Sequence, residues 1–392
     1  MMTAFAPSRA EALARLEAFL PRAGAKYASS RNFDFGPGRR DNVSALSPYV
    51  RHRLVLEDEV VTAVLKHHSF NAASKFIQEV CWRTYWKGWL EHRPGLLPLY
   101  VADVAGLRVS LEEDAGLAER YNRAVAGETG IEAFDAWARE LAAEGYLHNH
   151  TRMWFASIWI FTLRLPWQLG ADLFFRQLYD GDPASNALSW RWVAGLHTKG
   201  KTYLARPDNI ETYTNGRFKP DRASLSPRAD ALPDDGLDAK GAMRVYRERP
   251  ANGEVTLLVT EEDCCPETLP LDGLSVTAVA GLPPALVYGP DHSPAVVSFK
   301  TAAVEQAVQR AASHYGCARV SFDAIKPQDA VTAFCPIGPT RDYLEREGWI
   351  GGPSPCAEVV RPWDKAFWPY ATAGFFKLKD RIPLTLRTLG MI

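Results

Sequence analysis

The chain has 392 residues, 47% of them hydrophobic and 23% charged, with a formal net charge of −1. This length and apolar content suit two globular domains with a sizeable core in each, and near-neutral charge excludes a generic polyanion binder. Residues 1–225 hold 28 Lys+Arg against 25 Asp+Glu, or +3, and the remainder 17 against 21, or −4, so any basic groove on the first part is modest.

In chain order, Ala10 to Leu20 places Leu13, Leu16 and Leu20 at helical spacing. Gly36, Gly38 and Pro48 mark a loop around Ser47. Ser74 to Leu90 reads as a long aromatic helix and Phe134 to Ala143 as an amphipathic one. Nine of the 12 tryptophans lie between Trp82 and Trp192, which suits either a Trp-rich helical core or electron hopping between indoles. If His148 to Met153 is helical, Asn149, Arg152 and Met153 share one face. An amide, a guanidinium and a thioether together suit a flat, partly apolar, partly anionic ligand such as a flavin dinucleotide. The plain alternative is a buried helix with an incidental salt bridge to Asp180 or Asp182. Met153 to Leu163 is apolar but far short of a membrane span, and Arg164 and Pro166 close it as a core helix.

Ser226 to Glu254 is rich in Pro, Asp, Gly and Arg and reads as a linker, centred on residues 226–250. Beyond it, Val255–Thr260, Ser275–Ala280, Ala295–Phe299 and Ala318–Phe322 are short runs of strand length, with a helix predicted over Thr301 to Tyr315. Strand–helix–strand alternation predicts an α/β domain with a parallel sheet over 251–392. No glycine-rich nucleotide fingerprint follows Thr260. The closing run Trp363 to Phe376 is aromatic enough to dock on the helical domain.

The six cysteines form no C-x-x-C, and Cys264-Cys265 sit in a turn-like acidic stretch. The expectation is therefore a reduced, cytoplasmic protein without a metal. The N-terminus has no charged region followed by an apolar one, so no signal peptide is read. Lys199, Lys201, Arg206, Arg217, Lys219 and Arg222 are the candidate phosphate contacts, or else a solvated surface loop.

Five segments in order carry a family resemblance: Tyr27 with Arg31 and Phe33; Val43-Ser44-Ala45-Leu46-Ser47-Pro48-Tyr49; Phe76 to Arg83; Gly127–Gly130 leading into Gly145 to Met153; and Asp180 to Asn186 with Trp190 and Trp192. Residues 9 to about 225 thereby resemble the flavin-binding helical domain of the DNA photolyase/cryptochrome family. The resemblance implies a helical FAD-binding domain over 1–225 followed by a smaller Rossmann-like α/β domain, the reverse of the family's usual order.

It further implies FAD contacts from Tyr27, Ser44, Leu46, Ser47, Phe76, Arg83, Tyr146, Asn149, Arg152, Asp180, Asp182 and Asn186, the last facing flavin N5. Val43 and Ala45 replace a Thr and an Arg of the family's phosphate loop, where Arg39, Arg40 or Asn42 could substitute. Glu79, Trp82, Asn149, Met153 and Trp192 resemble the residues that hold a flipped-out cyclobutane pyrimidine dimer. Trp190 and Trp167 resemble the inner members of a tryptophan electron-transfer chain. The third has no match, its aligned position falling near Asp114, and Trp159 or Trp154 could serve instead. His148 and His150 are expected to be structural or rim groups. The expected activity is light-driven dimer splitting in DNA by a monomeric carbon–carbon lyase, with a second, antenna chromophore left unassigned. The rival is a cryptochrome-type light receptor that binds FAD without repairing DNA.

Overall fold

The computed structural model describes residues 5–236 and 239–392. The chain divides into two compact units, and their bounds differ from the expected break at residue 225. One unit gathers the segment up to Pro21, Ala45–His92 and Ala242–Ile392; the other holds Arg22–Ser44 and Arg93–Gly241. The expected linker is thus shared, its first part tied to one unit and its last part to the other. Among the described residues no helix is long and apolar enough to cross a membrane.

The first unit is built on a five-stranded, all-parallel sheet: β1 (Gly253–Val259), β2 (Leu274–Gly281), β3 (Ala318–Arg319), β4 (Ala330–Ala333) and β5 (Ala357–Val359), in the order β3-β2-β1-β4-β5. Leu257 is central, paired with Val279 on one side and Val331 on the other, and it is fully buried, as a strand covered on both faces requires. Between β2 and β3 runs the helix Pro294–Tyr315. The expected strand Ala295–Phe299 lies inside it. Pro294 at the helix start and the buried series Val296, Phe299, Ala303, Val304 and Ala307 follow a period of three to four, which outweighs the β-branched pair Val296-Val297.

Segment 45–92 joins this unit through helices Ser47–Arg51, Glu57–His67 and Phe70–Glu91. Part of its attachment is ionic. The loop after β1, Thr260 to Cys265, carries Glu261, Glu262 and Asp263, all buried. Arg51 donates to Glu262 at 2.8 and 2.7 Å and His52 Nδ1 lies 2.8 Å from Glu261. Arg53 grips Asp364 at 2.8 and 2.7 Å, and Arg361 grips Asp263 at 2.6 and 2.7 Å. With Glu57, Lys87 and Lys300, five buried cations meet five buried carboxylates. The turn-like acidic stretch around Cys264-Cys265 is therefore part of a closed, charge-balanced core.

The aromatic C-terminal run docks on the helix Phe70–Glu91 of the same unit. Trp363 Nε1 donates to Thr84 Oγ1 at 2.8 Å, Tyr85 Oη donates to the Ala373 carbonyl at 2.9 Å, and Trp368 lies where a side chain on Gly88 would stand, 2.6 Å from its Cβ position. Gly88 is what permits this approach.

The second unit is helical, with Leu96–Glu113, Ala115–Ala126, Glu132–Glu144, Asn149–Ser157, Trp167–Gln177, Pro183–Val193 and Pro207–Tyr213. Asp114 caps the second of these through the Gly116 and Leu117 N–H groups at 2.9 and 3.0 Å. The apolar run after Ser157 widens into a π-turn, Ile158–Thr162, with Leu163 N–H bonding the Ile158 carbonyl. Arg164, in the left-handed region at φ 53°, ends it.

Candidate functional site

In the helical unit, Arg152 near one helix N-terminus and Asp180 just before another come together. His148 caps the helix Asn149–Ser157 through its Nδ1, which accepts the His150 N–H at 3.2 Å. That start places Asn149, Arg152 and Met153 one turn apart, as the spacing predicts. The Arg152 guanidinium lies 3.0 Å from the Asp180 carboxylate, donates from Nε to the Leu147 carbonyl at 3.0 Å, and sits 5.5 Å over the Tyr146 ring. Asp180 is buried while Arg152 keeps about a quarter of its side chain exposed. The plain alternative for this face, a salt bridge to Asp180, is thus present.

Asp182 caps the helix Pro183–Val193 by accepting the Ser185 N–H at 2.7 Å. The Ser185 hydroxyl beside it is buried with no hydrogen-bond partner among the described residues. Asn186 donates from Nδ2 to the Ala171 carbonyl at 2.6 Å, which fixes the amide and turns its oxygen to the other side. A guanidinium, an aspartate-capped helix start, an unsatisfied hydroxyl and a fixed amide fit a phosphate-bearing, hydrogen-bonding heterocycle.

The histidines nearby are structural. Burial pulls His148 down to about 4, and burial likewise lowers His150, whose ring stacks on Trp154 at 4.1 Å and bonds the Asn32 carbonyl and the Tyr203 hydroxyl. Arg40 and Asn42, considered as substitute phosphate contacts, are engaged elsewhere. Arg40 pairs with Glu140 and Glu144 at 2.6 Å each, and Asn42 donates to the Ser30 and Phe33 carbonyls. Arg39 lies over the Phe35 ring at 5.7 Å. Trp192 packs against Tyr203, 5.9 Å between ring centroids, and remains half-buried.

Trp190 is buried, with Trp159 edge-on at 6.1 Å and Phe174 at 5.2 Å. Gly170 makes room for this pair: a Cβ there would strike Trp190 and stand 3.0 Å from Trp159. Trp159 in turn meets the edge of Tyr121 at 5.9 Å. Trp167 instead stacks on Tyr100 at 5.5 Å, beneath the Arg191 guanidinium at 5.9 Å. A cation over an indole opposes its oxidation, so Trp159 is the better-placed neighbour of Trp190. The sequence offered Trp159 only as a substitute for the missing third member; its edge contact with Trp190 depends on the π-turn and on Gly170.

The remaining expected residues are divided. Tyr27 and Ser44 belong to the helical unit, and Leu46, Ser47, Phe76, Glu79, Trp82 and Arg83 to the sheet unit. There Ala45, at φ 49°, turns the chain into the short helix Ser47–Arg51. Phe76 is buried against Phe19 at 5.4 Å, and Glu79 and Arg83 are half-buried on the same long helix. Trp82 presents one face to Phe375, with ring centroids 3.6 Å apart and planes 13° from parallel. The aromatic closing run was expected to dock on helices, but nothing in the sequence paired Phe375 with Trp82.

The crevice at the C-terminal ends of β1 and β4 is where a doubly wound sheet would take a ligand. Here Glu261 fills it, bonded to Tyr288, to Thr340 at 3.1 Å and to the Arg51–His52 pair. Burial pushes its carboxyl up, yet Arg51 and Lys300 outweigh burial and hold it well below the usual range. The residues present do not fit an antenna chromophore at that crevice. The cluster Lys199 to Arg222 is also largely neutralised: Lys199 pairs with Asp234, Arg217 with Asp34 at 2.6 Å, Lys219 with Glu211 at 2.9 Å and Arg206 with Asp208 at 3.8 Å.

Residues 76–220 match the family model described as the FAD binding domain of DNA photolyase. Among curated relatives, the deoxyribodipyrimidine photo-lyase of Thermus thermophilus is 32% identical over 204 residues, 50% of this chain and 45% of the relative. That of Agrobacterium fabrum is 33% identical over 192 residues, 48% and 38% of the two chains. Among solved structures, a bacterial class III photolyase from Agrobacterium tumefaciens is 28% identical, covering 53% of this chain and 43% of the other, with a TM-score of 0.44. The segment 76–220 is accordingly a flavin-domain segment of the photolyase type. Over that segment the chain is similar to the flavin domain of photolyases, and it spans less than half the length of these curated relatives.

Proposed function

We propose that this chain binds FAD and, under blue light, splits cyclobutane pyrimidine dimers in DNA. The observation that carries the cofactor is the pairing of Arg152 with Asp180 beside the Asp182-capped helix, with the Ser185 hydroxyl unsatisfied close by in sequence. Arg152 would hold a phosphate, Asp182 and Ser185 would position polar groups of the cofactor, and Asn186 would present its amide oxygen to the ring edge. When bound, reduced FAD supplies the electron that opens the dimer and receives it back. Trp190 and Trp159 would carry electrons towards it. Asn149, Met153 and Trp192, exposed or half-buried, would meet the dimer. We also propose that the sheet unit corresponds to the family's antenna domain, placed after the helices; five parallel strands at the C-terminal side support this.

A receptor without repair is the second reading. Phe375 covering one face of Trp82, and the neutralised Lys199–Arg222 cluster, favour it. The deciding experiment illuminates the reduced, FAD-loaded protein with a dimer-containing oligonucleotide and follows restored thymines. Restoration supports repair. Light-induced flavin chemistry without restoration, and without preference for damaged DNA, supports the receptor.

A further inference from the structure

The C-terminal helices Phe375–Lys379 and Ile382–Thr388 are joined by Asp380 and Arg381, both in the right-handed helical region, so 375–388 runs on as one amphipathic ramp. Its inner face, Phe375, Leu378, Ile382, Thr385 and Leu386, is buried in the sheet unit. Its outer face shows Phe376, Lys377, Arg381, Leu384 and Arg387, with Asp380 as the one acidic group. Phe376 is 72% exposed, unusual for a side chain of that size. The Lys379 ammonium lies 5.6 Å over its ring, and the Arg381 guanidinium 5.5 Å over Tyr370.

None of Lys365, Lys377, Lys379, Arg381 and Arg387 pairs with a carboxylate among the described residues. From 365 to the end, five basic residues face one acidic residue, in a chain that sums to −1. The contrast with Lys199–Arg222, where four of six cations are matched by acids, decides where a polyanion would be drawn.

We propose that this outer face is a docking surface for the phosphate backbone of DNA, with Phe376 as a platform for an unstacked base. The identity of the nucleic acid rests on the repair reading. Lys377 to Arg387 spans about 15 Å at helical rise, a length over which one strand of a duplex passes about four phosphates. Cations interleaved with exposed rings are what unpaired nucleic acid needs. A lipid surface is the poorer match, since the continuous apolar face is already buried and the outer face offers a membrane only Phe376 and Leu384. The ramp also begins at Phe375, the residue stacked on Trp82.

The test compares the FAD-loaded wild type with the combined variant Lys377→Gln, Arg381→Gln, Arg387→Gln, and with Phe376→Ala. Fluorescence anisotropy on intact and dimer-containing duplexes is read across a salt series, with thermal midpoint and bound FAD as controls. The triple variant should lose affinity, and the slope of log K against log salt should become shallower by about 0.9 for each phosphate no longer neutralised. Phe376→Ala should weaken dimer-containing DNA by about fivefold or more and leave the slope unchanged. Wild-type slope and affinity in a folded triple variant would overturn the proposal, as would wild-type binding to phosphatidylserine vesicles but not to DNA. Repair with an unaltered slope removes the surface and leaves the repair reading standing. Slope-dependent DNA binding without repair does the reverse.

Discussion

Replacing Arg152 by alanine tests the cofactor site most directly, because two separable consequences can be worked from its contacts. Arg152 holds buried Asp180 at 3.0 Å, two residues before the Asp182 cap. If it also donates to a cofactor phosphate, a charged hydrogen bond worth roughly 1.5–3 kcal/mol is removed. At about 1.4 kcal/mol per tenfold, FAD should bind some 10- to 100-fold more weakly. Asp180 would meanwhile lose the Arg152 guanidinium in a buried position, and the apoprotein should be destabilised as well. Lysine at 152 should restore much of the stability but less of the affinity, since an ammonium cannot reproduce the planar donor fork. Titrating apoprotein with FAD by fluorescence quenching gives the affinity, and urea unfolding of the same samples gives the stability. Unchanged FAD affinity in a destabilised Arg152→Ala protein would reduce this arginine to a structural partner of Asp180.

Trp190→Phe should abolish light-driven loss of oxidised-flavin absorbance with an external thiol, and Trp159→Phe should slow it more than Trp167→Phe does; the opposite order would restore Trp167 as the relay. Burial pushes Glu91 up to about 7 although the Ile337 N–H bonds it at 2.7 Å, so its contribution is fully present below pH 4.5 and is lost as pH rises through 7. Glu91→Gln should therefore gain on wild type by up to about 3 kcal/mol between pH 5 and 8 in urea unfolding, and parallel curves would show that Glu91 does not titrate there. Asp364→Ala strands the buried Arg53 and should cost about 3–5 kcal/mol, whereas Arg53→Met combined with Asp364→Leu should recover most of it; a loss below about 1 kcal/mol in the single variant would mean that Glu57 and Asp263 suffice.

Elements with strong local signals were legible in the sequence. The helix Phe70–Glu91, the start of Asn149–Ser157 and the strands β1 and β2 stand close to where spacing and composition put them. Ala295–Phe299 was misleading, because a β-branched pair matters less than a proline start followed by a long run of helical period. β4 and β5, of four and three residues, are too short to announce themselves, and neighbouring strands rather than their own composition hold them. Of the candidate site, the Asn149–Arg152–Met153 face and the acid facing Arg152 were readable. The Trp82–Phe375 stack and the Trp159–Trp190 edge contact were not, since each joins residues set by packing rather than spacing. The membership of 45–92 in the sheet unit was invisible for the same reason: Arg51 and Glu262 stand 211 residues apart along the chain.

That ion-paired loop sets how the protein can be dissected. A fragment cut at residue 251 would keep Glu261, Glu262, Asp263 and Asp364 with only Lys300 and Arg361 to answer them, because Arg51, Arg53 and Lys87 lie upstream of the cut. Two carboxylates would have to be protonated or hydrated before such a fragment could close its interior. The sheet is therefore not a module that can be transplanted or expressed by itself, and the shortest portable version of it must begin before Ala45. Exchange of sheet domains between relatives would have to carry the arginines along, or replace both halves of the lock together.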